Sequence, residues 1–286
     1  MVLDLWKTKL HPILMKKEQQ SPHVFLKCQW QKKEEISKCY IIYRWLLASI
    51  FSSTMIASLL GLGKPFQGNE YYLKWFIYLT HWGFSIATIQ AILAAVLITR
   101  IYLKQKRKLD LKEETLKMKT SFKVYWILHT VSVVAAFSIS ILYWSFVYDP
   151  SIHTLDVINV MIHAFNSVLM LIDLCLVSHP IRLSHLHWPL GFALCYTVFS
   201  AVYFAAGGTD RLNRTYIYNI MDWRKPWRTL LIVVGLLTFV VVLHTLVLLF
   251  SLFRIYLFSR FLKHNSGIKT NDCETTDQPV SVINVV

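Results

Sequence analysis

Six long apolar stretches, each bounded by polar or charged residues, set the pattern of the chain: approximately Ile41–Leu62, Trp75–Ile98, Val124–Val147, Leu155–Ser178, His187–Ala206 and Thr229–Leu257. A hydrocarbon core about 30 Å thick is crossed by roughly 20 apolar helical residues, so the pattern predicts an all-α, polytopic membrane protein with a six-transmembrane-helix bundle. Polar residues interrupt the fourth stretch, and the fifth is short. The same pattern divides the chain into a basic N-terminal segment over residues 1–40, a transmembrane domain over 41–257, and a polar tail over 258–286 expected to be disordered. Residues 1–40 carry eight lysines and no apolar run. The expectation is therefore no cleaved signal peptide, with the first span as an uncleaved anchor.

Composition agrees with this reading. Of 286 residues, 55% are hydrophobic and 16% charged, against about 25% charged in soluble domains, and mean hydropathy is +0.44. A soluble globular enzyme and a disordered or collagen-like chain are excluded. The formal net charge of +14 would point to nucleic acid in a soluble protein. Here the basic residues flank apolar spans, so they read as topology determinants and contacts for anionic lipid, and no nucleic-acid partner is expected. Six crossings place both termini on one side. That side holds 22 Lys and Arg against seven on the other, which predicts cytosolic N- and C-termini. Arg44, just inside the first span, is expected to snorkel to the same side. The sequon Asn213-Arg214-Thr215 falls in a predicted outer loop and marks Asn213 as a glycosylation site.

None of the five cysteines, Cys28, Cys39, Cys175, Cys195 and Cys273, lies in an outer loop, so no disulfide framework is implied. The segment Arg100–Lys123 is a charged hairpin of mixed sign and reads as a solvated face. Gly-rich phosphate loops, paired Cys-x-x-Cys ligands and His-Glu-x-x-His are absent, as is any internal repeat.

Ionisable residues inside spans are costly and mark functional sites by default. The fourth span carries Asn159, His163, Asn166 and Asp173, whose steps of four, three and seven residues keep them on one helical stripe. Lipid offers such a stripe no partner, so it must face the bundle interior or a wet cavity; interhelical hydrogen bonding is its plainest role. Thr80 lies five residues after Trp75, and His163 eight after Leu155. Both therefore sit roughly 8–12 Å below the outer boundary, at a depth where a hydroxyl and an imidazole can form a nucleophile–base pair. Asp173 is ten residues beyond His163, roughly 15 Å along the helix, too far to orient it. Asn159 and Asn166, one turn to either side, are better placed to line or orient a substrate cavity.

The histidines allow one other reading. His81 with His163, and His129 with His244, would give two levels of axial haem ligands. His129 and His244 differ in depth by roughly 12 Å, however, so they read as packing residues and no cofactor or metal is expected. The outer loop Gly207–Arg228 is rich in Tyr and Trp and reads as an interfacial cap, with Asp210, Arg211, Asp222 and Arg224 available for ion pairs that hold it.

The stretch HAFNSVLMLIDLCLVSHPIRLSHLHWPLGFALCYTVFSAVYFAAGGTDRLNRTYIYNIMDWRKP, from His163 to Pro226, resembles the rolling stone protein of insects and its relatives. Weaker echoes occur at Gln29-Trp30, Tyr43-Arg44-Trp45 and Tyr78-Leu79-Thr80-His81-Trp82. The resemblance implies a role in cell–cell fusion of the myoblast type or in cell-surface organisation, at the plasma membrane or an endomembrane, with cell-surface proteins as partners. The family is distantly similar to the androgen-induced and androgen-dependent membrane hydrolases, which cleave fatty acid esters of hydroxy fatty acids with a threonine and a histidine. Tyr78-Leu79-Thr80 and His163…Asp173 match their two patterns, so the resemblance implies Thr80 as nucleophile, His163 as base, and a lipid ester delivered from the bilayer as substrate. Two features depart from the hydrolases: His81-Trp82-Gly83 stands where an acidic residue follows their threonine, and Val160 stands where they have a second histidine.

Overall fold

The computed structural model describes residues 22–31, 35–62, 68–107 and 120–270. The basic stretch 1–21, half of the charged hairpin (108–119) and the tail from 271 lie outside the described residues. Among the described residues the chain is all-helical, and six helices are long and apolar enough to cross a membrane. They are α1 (Lys38–Leu59), α2 (Leu79–Lys106), α3 (Thr120–Val147), α4 (Val157–Leu176), α5 (Leu183–Ala205) and α6 (Pro226–Phe261). The second helix begins later than expected because Trp75 sits in a tight turn, Lys74–Ile77, that precedes it. The last runs beyond the expected boundary at residue 257, continuing helical to Thr270.

The most enclosed helix is α3, which packs against α2, α4, α5 and α6, while α1 packs chiefly on α2 and meets α4. Lipid tails give no hydrophobic drive for helices to associate, so close approach depends on small side chains. The face of α2 supplies Gly83, Ala87, Ala91 and Ala95 at four-residue spacing, the three alanines fully buried. A Cβ at Gly83 would collide with Ile139 of α3.

The bundle interior also holds a buried polar cluster. Arg44 does not snorkel: it is fully buried, and its Nη1 donates to Asp173 Oδ1 at 2.7 Å. Tyr43 donates to the same oxygen at 2.9 Å, and His129 Nε2 lies 3.3 Å from Oδ2. The Nη2 of Arg44 reaches the hydroxyls of Tyr40 at 2.5 Å and Tyr125 at 3.1 Å, and Tyr125 in turn meets His179 Nε2 at 3.2 Å. His129 is thus a member of an ion-pair cluster rather than a packing residue. His244 pairs with the Arg182 carbonyl at 3.0 Å.

The N-terminal segment is part of this fold. A helix ending inside an apolar medium must find partners for its last four carbonyls, and all four at the end of α4 are accounted for. The Asp173 carbonyl accepts from Val177 N, and that of Leu174 from Arg254 Nη1. The carbonyl of Cys175 accepts from Trp30 Nε1 at 3.0 Å, and that of Leu176 from Gln29 N at 2.8 Å. Phe25 and Leu26, both buried, fix the segment in place, with Phe25 stacked on His179. The following loop is threaded through the bundle in the same way. Pro180 O accepts from Trp126, and Ile181 N donates to Ser251.

Replacing Asp173 with Ala leaves a buried guanidinium unpaired, and such losses cost about 3–5 kcal/mol. The variant is expected to show a large drop in thermal stability in detergent, followed by fluorescence-detected size exclusion. The double replacement Arg44→Met/Asp173→Leu is expected to recover most of that loss.

Candidate functional site

A cavity of about 750 Å³ opens at the end of the bundle opposite residues 22–31. Its walls come from the starts of α2 and α4, the end of α3 and the loop between α5 and α6. Thr80 and His163, on different helices, both line it. So does Asn159, whereas Asn166 and Asp173 do not. The polar stripe of α4 does face the bundle interior, but that interior is divided. Phe51 lies midway along α1 between Arg44, in the ion-pair cluster, and Ser58, on the cavity wall. Phe51 packs on Phe84 of α2 at 5.2 Å between ring centroids. With Ile162 and Leu169 they belong to one buried apolar cluster, which separates the cavity from Asn166 and Asp173.

Local structure sets each side chain. Thr80 occupies the first turn of α2, next to the extended residue Tyr78 that begins the helix, and is buried except toward the cavity. His163 lies in a wide, π-type turn over Met161–Phe165, a local widening often found at functional positions. Its ring stacks nearly parallel on Tyr143, itself in a second wide turn at the end of α3. Asn159 does not touch the imidazole directly. Its Nδ2 donates to the Tyr143 hydroxyl at 2.6 Å and so positions the ring on which His163 rests. His81, beside the threonine, also lines the cavity; its ring stacks on Trp75, with Nδ1 2.6 Å from that residue's carbonyl.

The loop over residues 207–225 is a folded lid. It leaves α5 through a left-handed Gly207 (φ +77°), with Gly208 N bonded to Tyr203 O and Gly207 N to Phe204 O, a helix stop that only glycine fits without strain. Asp210 organises the next turn. Its carboxylate accepts from Leu212 N, Arg214 N and Arg214 Nε, at 2.9, 2.8 and 2.6 Å. The ion pair thus joins Asp210 to Arg214 rather than to Arg211, which instead lies over the Tyr78 ring. Lys74, from the turn before α2, donates to Thr209 Oγ1, Asp210 O and Asn213 Oδ1 and clips the lid to the bundle. At the far end Asp222 pairs with Arg224, whose guanidinium holds the carboxyl below its usual range. Asn213 is exposed, with a left-handed φ of 59° that asparagine tolerates.

The lid also places a residue that sequence reasoning missed. Tyr218 lines the cavity together with Thr80, its ring packed against Tyr78 and Tyr196 at 6.1 and 6.4 Å between centroids. Burial pushes its phenol pKa up. Among the aromatic residues of an interfacial loop, nothing in the sequence distinguishes this tyrosine. Its edge-to-face packing on Tyr78, within the Tyr78-Leu79-Thr80 motif, appears only in three dimensions.

Charged hydrogen bonds of the Asp210 type contribute about 1.5–3 kcal/mol each. Asp210→Ala is expected to leave the bundle folded while raising tryptic cleavage after Arg211 and Arg214 by on the order of tenfold or more, as measured by limited proteolysis in detergent.

Comparison with known proteins places these features in a family. A family model described as "Protein rolling stone" matches residues 15–267. The chain is 33% identical over 238 residues to Protein rolling stone of Drosophila melanogaster, an alignment covering 82% of this chain and 83% of that protein. No solved structure matches. The matched region takes in the docked N-terminal segment, all six spans and the lid, and the chain belongs to the rolling stone family.

Proposed function

We propose that the lidded cavity is the active site of a membrane lipid-ester hydrolase, with Thr80 as nucleophile and His163 as general base. The observation that carries this reading is that Thr80 and His163, singled out by depth and by the hydrolase-like patterns around them, open into one cavity. Its lining mixes hydroxyl and imidazole groups with Ile152, Ile158, Ile162 and Leu212, a composition suited to an amphiphile with an apolar chain. His163 takes the Thr80 Oγ proton as the oxygen attacks the ester carbonyl carbon. The tetrahedral intermediate collapses, the C–O bond to the alcohol breaks, and the leaving oxygen recovers the proton from His163. Water then attacks the acyl-threonine by the same proton transfers, releasing the fatty acid and restoring Thr80. Asn159 acts through Tyr143 to hold the imidazole in place.

The expected result with a fluorophosphonate probe on membranes is labelling of the wild type, none of Thr80→Ala, and labelling of His163→Ala slowed by on the order of 10²–10⁴-fold at equal expression. Labelling of Thr80→Ala at the wild-type rate would sink the reading.

Family membership supports a second reading, in cell–cell fusion or cell-surface organisation with protein partners at the plasma membrane or an endomembrane. The two are compatible. If hydrolysis serves fusion, Thr80→Ala abolishes fusion in a cell-mixing assay; if the bundle acts as a scaffold, fusion survives.

In either case we propose cytosolic termini with the lid on the opposite side, on the strength of the 22-to-seven division of Lys and Arg. Asn213, exposed on the lid, is then available for glycosylation. The chain expressed in animal cells is expected to gain mobility on a gel after glycosidase treatment, and Asn213→Gln to migrate at the deglycosylated position without it.

A further inference from the structure

Two contacts place Tyr143 between Thr80 and His163 on the cavity wall. On the side of α2, Gly83 lies so close to Ile139 of α3 that a Cβ there would collide. The two helices are successive spans and run antiparallel. One turn from that contact toward the cavity therefore brings Thr80, three residues before Gly83, level with Tyr143, four after Ile139. On the side of α4, the Tyr143 ring lies face to face with the His163 imidazole, 3.4 Å between centroids. In so close a stack the phenol oxygen is within about 5 Å of both imidazole nitrogens. A π-type turn sets each ring, Tyr143–Val147 on α3 and Met161–Phe165 on α4, and the neighbouring Trp144 donates from Nε1 to the His163 carbonyl at 3.0 Å. The hydrogen bond from Asn159 then decides what the phenol can do. An amide N–H only donates, so Nδ2, 2.6 Å away, makes the Tyr143 oxygen an acceptor and leaves its proton to be given elsewhere. Among the described residues none accepts that proton. A phenol that accepts one bond is polarised into a stronger donor of the next.

We propose that Tyr143 is a catalytic residue of this site, the hydrogen-bond donor to the carbonyl oxygen of an ester attacked by Thr80. The inference rests on the Thr80–His163 reading and supplies the charge stabilisation which that pair lacks. Imidazole nitrogen to threonine oxygen, threonine oxygen to carbonyl oxygen, and carbonyl oxygen to phenol are three links of roughly 2.5–3 Å each. Together they close the gap between the stacked imidazole and phenol. As the Oγ–C bond forms, His163 takes the Oγ proton, the carbonyl π electrons move onto oxygen, and the negative charge develops against the Tyr143 O–H. When those electrons return, the C–O bond to the alcohol breaks and the alcohol oxygen takes the proton from His163. The phenol keeps its own proton throughout and serves again when water attacks the acyl-threonine. Base and donor are stacked on one another and tied together at Trp144, so they hold one geometry through both halves of the reaction, as stabilisation by fixed dipoles requires.

The test is hydrolysis of a p-nitrophenyl fatty ester and of its thionoester, in which sulfur replaces the carbonyl oxygen, by the purified full chain in lipid nanodiscs. Wild type, Thr80→Ala and Tyr143→Phe are compared. Sulfur accepts hydrogen bonds more weakly than oxygen, so a donor at that atom makes the enzyme prefer the oxygen ester. The expected result is no turnover by Thr80→Ala, and for Tyr143→Phe a kcat on the oxygen ester lower by on the order of 10²–10³-fold, with Tm close to wild type. The preference for oxygen over sulfur is expected to fall by on the order of tenfold in Tyr143→Phe. An unchanged kcat overturns the proposal. A lower kcat with the wild-type preference intact also overturns it and leaves Tyr143 as a positioning residue for His163. A wild type that turns over no ester overturns the hydrolase reading, and the Tyr143 role with it. Should Tyr143→Phe unfold, replacing Tyr143 with a ring-fluorinated tyrosine preserves the shape and makes the phenol more acidic. The alkaline limb of the kcat–pH profile then moves to lower pH if the phenol donates in the transition state, and an unmoved limb overturns the proposal.

Discussion

The Arg44–Asp173 ion pair is the interaction around which the half of the bundle nearest residues 22–31 is built. A guanidinium and a carboxylate removed from water cost several kcal/mol apiece unless their remaining hydrogen-bonding capacity is filled. The side chains that fill it come from three helices: Tyr40 and Tyr43 from α1, Tyr125 and His129 from α3, and Asp173 itself from α4. The contacts pass on through Tyr125 to His179, and through His179 to Phe25 of the N-terminal segment. One charge pair thereby dictates where α1, α3 and α4 meet and what must cover them. A purely apolar interior would leave the rotation of each helix far less determined, since lipid and leucine are equivalent surroundings for an apolar face.

The same accounting explains why the segment before α1 is structural. It supplies Gln29 N and Trp30 Nε1 to two of the last carbonyls of α4, and Arg254 of α6 supplies a third. The helix that carries both Asp173 and His163 is therefore fixed at its lower end by the first and last described parts of the chain. At its upper end it is free to widen into the turn that presents His163. Rigidity at one end lets the local irregularity at the other be held in a defined geometry.

The six helices were legible because apolar runs of this length have no other stable use, and Thr80 and His163 were recognisable as polar side chains at matching depth. Asp173 was recognisable as an interior residue, but its partner was not. An arginine three residues inside a span reads as one that reaches the headgroups, and only packing shows that Tyr40, Tyr43 and Tyr125 enclose it. The docking of residues 22–31 was hidden for a different reason. Phe25, Leu26 and Trp30 are too few to form a periodic pattern, and the surrounding lysines dominate the local composition. Asn166 was grouped with His163 by helical spacing, which is blind to the apolar layer at Phe51 and Phe84 that divides the interior.

That layer also bears on chemistry. It keeps the charges of Arg44 and Asp173 out of the cavity, where either would compete with a polarised carbonyl for hydrogen bonds or attract water. Thr80, His163, Asn159 and the tyrosines line the cavity, and its charged lining comes from loops: Asp149 between α3 and α4, and Asp210, Arg211 and Arg214 between α5 and α6, where Asp210 and Arg214 neutralise one another. A weak nucleophile such as a threonine hydroxyl gains most from hydrogen bonds in surroundings of low polarity. Separating a charged helical scaffold below from a pocket whose helices present hydroxyl, amide and imidazole groups is how a bundle of this size provides both conditions in one chain.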